Sequence, residues 1–260
     1  MDTSVSSPSN DSLPADVDAI AYISHELSTP LTAIKWNAEL LRMGKMAKSL
    51  DEEQTKLLDE ILLGVRRMSA LVDDIHESSW LERNKFADES QPTSLADIVA
   101  SVNDQQQAIA TAKQVQCTIQ VDPSVPRLLA RPSTLTLIAT NLLSNAVKYT
   151  LTGSVSAEVR LATADEVARA ELTNAMSSVL LRVTDTGMGI PVAEQAQVFK
   201  KFFRGSNARS ADIEGTGLGL YIVALAVQKL KGAIWFDSVE RQGSIFSVVL
   251  PLQSEANSVN

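Results

Sequence analysis

The chain has 260 residues, enough for one large domain or two ordinary ones. Its hydrophobic and charged fractions, 45% and 21%, are those of a soluble globular protein. A net charge of −8 argues against a non-specific nucleic-acid binder, which needs a basic face, but leaves room for a nucleotide in a local site. The single cysteine, Cys117, rules out an intrachain disulfide and a cysteine-rich zinc site. It lies in the alternating "QCTIQV" and is expected to be a buried thiol on a strand.

In chain order, the Ser/Asp/Pro-rich start, residues 1–12, is expected to be disordered. Residues 13–84 read as two long helices. The first carries Ile20, Ile23, Leu27, Ile34, Ala38 and Leu41 on one stripe. The second repeats Leu58, Ile61, Val65, Met68, Val72 and Ile75 at alternating steps of three and four, a heptad seam flanked by charge. Between them "RMGKMAKSLDEE" holds a glycine and then Ser49, a candidate cap for the second helix. Such a pair forms an antiparallel hairpin whose stripe is half covered, so two copies joining in a four-helix bundle, a homodimer, are expected. A polar linker over 85–94 precedes a second domain, 95–253, followed by a tail, 254–260. Within that domain "SVSAEVRLA", "SVLLRVTD", "AIWFDSVE" and "SIFSVVLPL" read as strands. The segments "SLADIVASVNDQQQAIATAKQ", "STLTLIATNLLSNAVKY" and "GLGLYIVALAVQKL" read as helices. A largely antiparallel sheet with packed helices is an α+β layer domain. No run of eighteen apolar residues and no basic-then-apolar leader occurs, so a cytoplasmic chain without membrane insertion is expected.

Two kinds of chemistry stand out. On the first helix His25 lies between the stripe residues Ile23 and Leu27 and therefore faces outward. Glu26 can accept a hydrogen bond from one ring nitrogen, leaving the other as a nucleophile near pH 7. Thr29 lies one turn on, and Pro30 removes an N–H, so the helix is expected to bend there. By itself this also fits a solvated surface histidine. His76, among acids near the end of the second helix, reads as a surface residue. In the second domain Asn141 and Asn145 share a helical face with Lys148 close by; amide oxygens suit Mg²⁺ and the ammonium suits phosphate, although a plain polar face fits too. Asp185 opens "DTGMGI" after a strand, and Gly187 and Gly189 would let the backbone approach a ring. "GTGLGL", with Gly215, Gly217 and Gly219, opens a helix whose N–H groups could meet phosphate.

Together these stretches resemble the two-component sensor histidine kinases. "SHELSTPLTAI" is similar to their phosphoacceptor box. "NLLSNAVKYT", "DTGMGI", "FKKFFR" and "GTGLGL" are similar, in order and spacing, to the N, G1, F and G2 boxes of their ATPase domain. The resemblance spans roughly residues 15 to 252. It implies a helical phosphotransfer hairpin followed by a Bergerat-type α/β sandwich, with ATP and Mg²⁺ as cofactors. His25 would accept the γ-phosphoryl group, Glu26 would be its acid/base partner, and Thr29 would serve a reverse, phosphatase step. Asn141 would hold Mg²⁺ and Asp185 would bind adenine. Asn145, Lys148, Tyr149, Gly187, Gly189, Arg204, Gly215, Thr216, Gly217, Leu218 and Gly219 would meet the nucleotide. Residues 205 to 214 would form a lid, with Arg209 a second phosphate contact and Phe199, Phe202 and Phe203 packing its base. The implied partners are a second copy and a response-regulator receiver domain; the input would come from a separate sensory protein, from the short N-terminal segment, or from a larger protein of which this is the core. A histidine phosphotransferase or pseudokinase scaffold is the alternative. Departures from the family pattern are Lys200 and Arg131, which stand where acids are common, and a long connection over 163–178 able to form an extra helix.

Overall fold

The computed structural model describes residues 15–43, 50–83, 90–172, 177–211 and 213–252, with side chains from Leu27 onward. The expected disordered start, the tail and Ser49 lie outside the described residues. The chain divides into two compact units, Met1–Trp80 and Leu81–Asn260.

In the first unit helix α1 spans Ala15–Arg42 and continues through Pro30. Helix α2 spans Glu52–Arg83. Asp51 caps it: its Oδ1 accepts from Gln54 N at 2.7 Å, while Gln54 Oε1 accepts from Asp51 N at 3.1 Å. This reciprocal pair satisfies donors that a helix start leaves open. The pairing is antiparallel, because Leu31 packs with Val65 and Val72, whereas Ala38, further along α1, packs with the earlier Leu58 and Leu62. The heptad seam divides. Leu58, Val65 and Val72 are buried as expected, together with Leu62, but Ile61 and Met68 are exposed. On α1 the expected stripe residues Leu27, Ile34 and Leu41 are exposed, and the buried positions are Leu31 and Ala38. One α-helical partner can cover only a narrow stripe, so the remaining apolar positions face outward.

The stretch read as a linker carries structure at its C-terminal end. Helix α2 runs to Arg83, and strand β1, Gln91–Thr93, pairs antiparallel with β3, Leu128–Ala130. Ser94 caps α3, Leu95–Ala112, by accepting from Asp97 N. There follow β2 (Val115–Val121), α4 (Pro132–Tyr149), β4 (Gly153–Leu161), α5 (Ala164–Arg169) and β5 (Ser178–Asp185). After a 3₁₀ turn at Val192–Gln197 come α6 (Ser206–Ser210), α7 (Gly219–Lys229), β6 (Ala233–Val239) and β7 (Gly243–Pro251). The main sheet has the order β2-β4-β5-β7-β6; β2 and β4 are parallel and the other pairs antiparallel. Cys117 lies in β2, partly buried.

Helix α4 packs against α3, α7 and the sheet. Its Leu135, Ile138, Leu142 and Leu143 are buried together with the inward rows of the strands, Val155, Ala157 and Val159 of β4 and Val179, Leu181 and Val183 of β5. Alternation along β5 puts Asp185 at the end of that inward row. The outward row is treated differently. Leu180 and Val249 pair across β5 and β7 and are covered by Ala170 at the end of α5, with Leu172 and Trp235 alongside. The extra helix allowed by the long connection thus exists. Its capping box, Thr163 with Glu166, fixes its first turn, and Arg169 grips Asp237 of β6 with two bonds of 2.9 and 3.1 Å. Among the described residues no helix is long and apolar enough to cross a membrane.

Candidate functional site

His25 and Glu26 lie on α1, in the first unit, and their side chains are outside the described residues. Thr29, one turn on, is exposed. Thr32 Oγ1 bonds the Ser28 carbonyl at 2.8 Å.

In the second unit the sequence elements converge on the C-terminal half of α4. Asn141 donates its Nδ2 to Leu137 O at 3.0 Å, which turns Oδ1 away from its own helix. That oxygen meets the first turn of α7: a Cβ built on Gly219 would lie 2.6 Å from Asn141 Oδ1 and 3.9 Å from Asn145 Nδ2. Gly215 sits just as closely against Lys148, with 2.5 Å from its would-be Cβ to Nζ and 3.9 Å to the Tyr149 hydroxyl. Between them Gly217 has a φ of +77° and passes within 2.8 Å of Phe203 O by the same measure, a conformation and an approach that a side chain would block. Thr216 Oγ1 accepts from Leu218 N at 3.2 Å, and the Leu218 side chain is buried.

Asp185 is 7% exposed at the other side of the α4 end. Burial pushes its carboxyl pKa up, while N–H groups of Gly187 and Ser244 oppose the shift. Gly187 N donates to Asp185 Oδ1 at 2.8 Å, closing a tight turn. That turn docks on α4: Met188 N donates to Tyr149 O at 3.2 Å, and a Cβ on Gly187 would lie 2.4 Å from the same oxygen. The far side of the turn is held by Ser238 Oγ, which accepts from Ile190 N, and by Gln195 Nε2, which donates to Ile190 O and Ser238 O. Asn207 Nδ2 of α6 donates to Gly189 O at 2.9 Å. The region expected to act as a lid therefore begins with a helical turn tied to the Asp185 turn.

Arg204 donates Nη2 to Ile213 O, and its buried Nε has no hydrogen-bond partner among the described residues. Burial raises the Tyr149 pKa, and the Arg204 charge pulls it back, which places Arg204 in electrostatic reach of that phenol. Arg209 lies in similar reach of Glu194, whose pKa is lowered chiefly by its hydrogen bonds to Ser206. Phe199 packs edge-on against Phe236 at 5.7 Å, as expected of a lid base, but Phe202 is exposed, at a φ of +61°.

The arrangement suits a nucleotide with magnesium. No group of three or more histidine, cysteine or carboxylate side chains able to hold a metal occurs among the described residues. Magnesium retains waters and is commonly held by one or two protein ligands plus phosphates, so a single outward Asn141 oxygen fits that role. Asn141, Asn145, Lys148, Tyr149, Asp185 and the three glycines 187, 215 and 219 are brought together. The residues that the motifs alone did not single out are Ser238, Gln195, Asn207 and Lys113. Lys113 donates Nζ to Val147 O, Lys148 O and Thr150 O at 2.8, 2.9 and 3.3 Å.

A helical hairpin and an ATPase-type α/β sandwich define the class of protein. Residues 130–254 match the family described as histidine kinase-, DNA gyrase B- and HSP90-like ATPase, and residues 16–84 match the His kinase A phosphoacceptor domain. The chain belongs to the sensor histidine kinases. It is 31% identical over 234 residues to the sensor histidine kinase RcsC of Escherichia coli strain K12, covering 90% of this chain and 23% of that protein. It is 29% identical over 238 residues to the adaptive-response sensory kinase SasA of Synechocystis, covering 90% of this chain and 58% of that one. The chain thus spans 23% to 58% of the length of these curated relatives. Its fold matches full-length ShkA, solved with AMPPNP, at a TM-score of 0.71 and 24% identity over 91% of this chain and 46% of that chain.

Proposed function

We propose that this chain is an ATP-dependent protein histidine kinase that phosphorylates itself on His25 and passes the phosphoryl group to an aspartate of a receiver domain. The observation that supports this best is the convergence of Asn141, Lys148, Asp185 and the Gly215–Gly219 turn on one end of α4, reached from three separate stretches of sequence. In this reading the Asp185 carboxylate accepts the adenine amino group, and Lys148 and Arg204 offset the phosphate charge. Bound magnesium, with Asn141 Oδ1 as a ligand, would further neutralise the triphosphate. The unprotonated nitrogen of His25 attacks the γ-phosphorus in line, the bond from that phosphorus to the β–γ bridging oxygen breaks, and ADP leaves. Glu26 holds the proton on the other ring nitrogen and so keeps the attacking lone pair available. Thr29, exposed one turn on, positions water for the reverse reaction at the receiver. The similarly matched LuxQ of Vibrio harveyi is named as a sensor kinase/phosphatase. Two copies pair through the exposed stripe of the hairpin.

The test is incubation with γ-labelled ATP and Mg²⁺. Label that is stable to base, labile to acid and lost in His25→Ala is expected; label that survives acid would mean a hydroxyl acceptor. Asp185→Asn should weaken ATP binding by about 100-fold, since a buried site built for an adenine amino group then offers one a donor and a neutral oxygen. Nucleotide binding without label in the wild-type chain would favour the pseudokinase scaffold.

A further inference from the structure

The end of α4 carries the base side of the candidate site, and its carbonyls are shared out in a particular way. A helix end leaves its last carbonyls without intrahelical donors, and buried ones need partners. Ala146 O accepts from both the N–H and the hydroxyl of Thr150, which is fully buried. Val147 O, Lys148 O and Thr150 O all accept from Lys113 Nζ. The remaining one, Tyr149 O, accepts from Met188 N of the turn that follows Asp185. One ammonium thus takes the carbonyls on either side of the one that docks the turn.

Lys113 is placed for this by its own helix end. It is the residue after α3, its N–H bonds back to Ile109 O and Ala110 O, and the chain then reverses at Gln114 with a φ of +59°. Non-glycine residues reach that left-handed region rarely. The ammonium comes to the negative end of α4's dipole from another helix, 34 to 37 residues away in sequence, where a fixed cation is favoured.

We propose that Lys113 is a positioning residue for base recognition: by holding three carbonyls at the end of α4 it turns Tyr149 O toward Met188 and keeps the Asp185 turn in the shape that accepts adenine. The inference rests on the nucleotide-site reading above. Without the ammonium the last turn of α4 frays and Tyr149 O rotates. The Asp185–Gly187 turn, which approaches that oxygen too closely for any Cβ, then loses its seat. The phosphate side is built mainly on Asn141 and the first turn of α7, farther up the helix, and only its Lys148 contact lies in the affected turn.

The experiment is titration of the full chain and of Lys113→Met with ATP, GTP and tripolyphosphate. The variant should lose about tenfold in ATP affinity, the worth of roughly one charged hydrogen bond, while tripolyphosphate affinity, which can be lost only through Lys148, falls by no more than about threefold. Its preference for ATP over GTP should shrink accordingly, KM for ATP should rise with little change in kcat, and Lys113→Arg should recover most of the loss. An unchanged ATP-to-GTP preference in a folded Lys113→Met overturns the inference and leaves the nucleotide site intact. A wild-type chain that binds no ATP overturns the site itself, and the inference with it. If Lys113→Met does not fold, amide hydrogen exchange on the wild-type chain decides. Thr150 and Met188 should open together, as one unit; Met188 exchanging much faster than Thr150 overturns the coupling.

Discussion

The two units handle the same kind of side chain in opposite ways. In the α/β unit Leu135, Ile138, Val99, Val179 and Leu180 are all 0% exposed. In the hairpin Leu27, Ile34, Leu57, Ile61 and Met68 stand between 45% and 55% exposed, and its buried clusters hold three residues each. The difference comes from layering. Three helices on a five-stranded sheet enclose an inward face from several directions, whereas two helices can hide only the stripe along their single seam. The α/β unit is therefore complete as it stands, and the hairpin has an apolar face to offer a second copy.

Breaking the core of the complete unit should have the largest effect. Leu135→Ala, fully buried near the start of α4, should cost about 3–4 kcal/mol, because the surrounding helices and sheet cannot collapse into the vacated space. Urea unfolding followed by Trp235 fluorescence would report it, and an unmoved midpoint would contradict the packing described above. The hairpin should respond in the other way. Ile61→Glu combined with Met68→Glu removes nothing buried in one chain and should change monomer stability little. It should weaken self-association by about 100-fold, or ~3 kcal/mol, by placing charge in the shared face. Sedimentation across a concentration series measures this, with ATP binding by the second unit as the unaffected control. Association that survives both charges would mean that the copies do not meet through this stripe.

How far these contrasts could be read in the sequence differs by region. The two long helices and the main strands and helices of the second domain were legible, because each is encoded over a few neighbouring positions, whereas the 163–178 connection was legible only as unusually long. The heptad spacing of Leu58, Ile61, Val65, Met68, Val72 and Ile75 marks a seam but not how it is divided. Leu58 and Val65 turn to α1, and Ile61 and Met68 do not. The three phenylalanines of "FKKFFR" look alike in sequence, yet Phe199 packs on Phe236 while Phe202 is exposed. The sheet is largely antiparallel as expected, but its parallel pairing, β2 with β4, depends on a crossover that no local pattern records. Lys113 was invisible as a functional residue for the same reason: a lysine in "ATAKQ" is an ordinary helix end until the fold brings Val147, Lys148 and Thr150 to it.

The outward face of the sheet sharpens the comparison, because here the α/β unit meets the hairpin's difficulty and covers its apolar row from within the chain. Leu180 and Val249 would be exposed without the segment after Thr163, and the cover is fastened by Glu166. Its Oε1 accepts from Arg160 Nη2 at 2.7 Å and Arg182 Nη2 at 2.6 Å, and its Oε2 accepts from Arg160 Nη1 at 2.7 Å and Thr163 N at 2.9 Å. The Arg160 bonds, outweighing burial, bring the Glu166 pKa down from 4.5 to about 2. A carboxyl whose pKa falls on folding contributes stability above its unfolded value and loses it as protons bind. The contribution is therefore full above pH 4.5 and disappears as the pH falls toward about 2. Allowing for screening near the surface, it should amount to about 2 kcal/mol. Between pH 6 and pH 3, which is still above the folded pKa of about 2, the wild-type chain should lose about 1 kcal/mol more urea stability than Glu166→Gln, which has no proton to take up there. ATP affinity at pH 6 should be the same in both, since Glu166 and Asp185 lie on opposite faces of the sheet. Equal acid losses in the two proteins would mean that the cover is held by its apolar contacts alone, as the hairpin's face would be by a second copy.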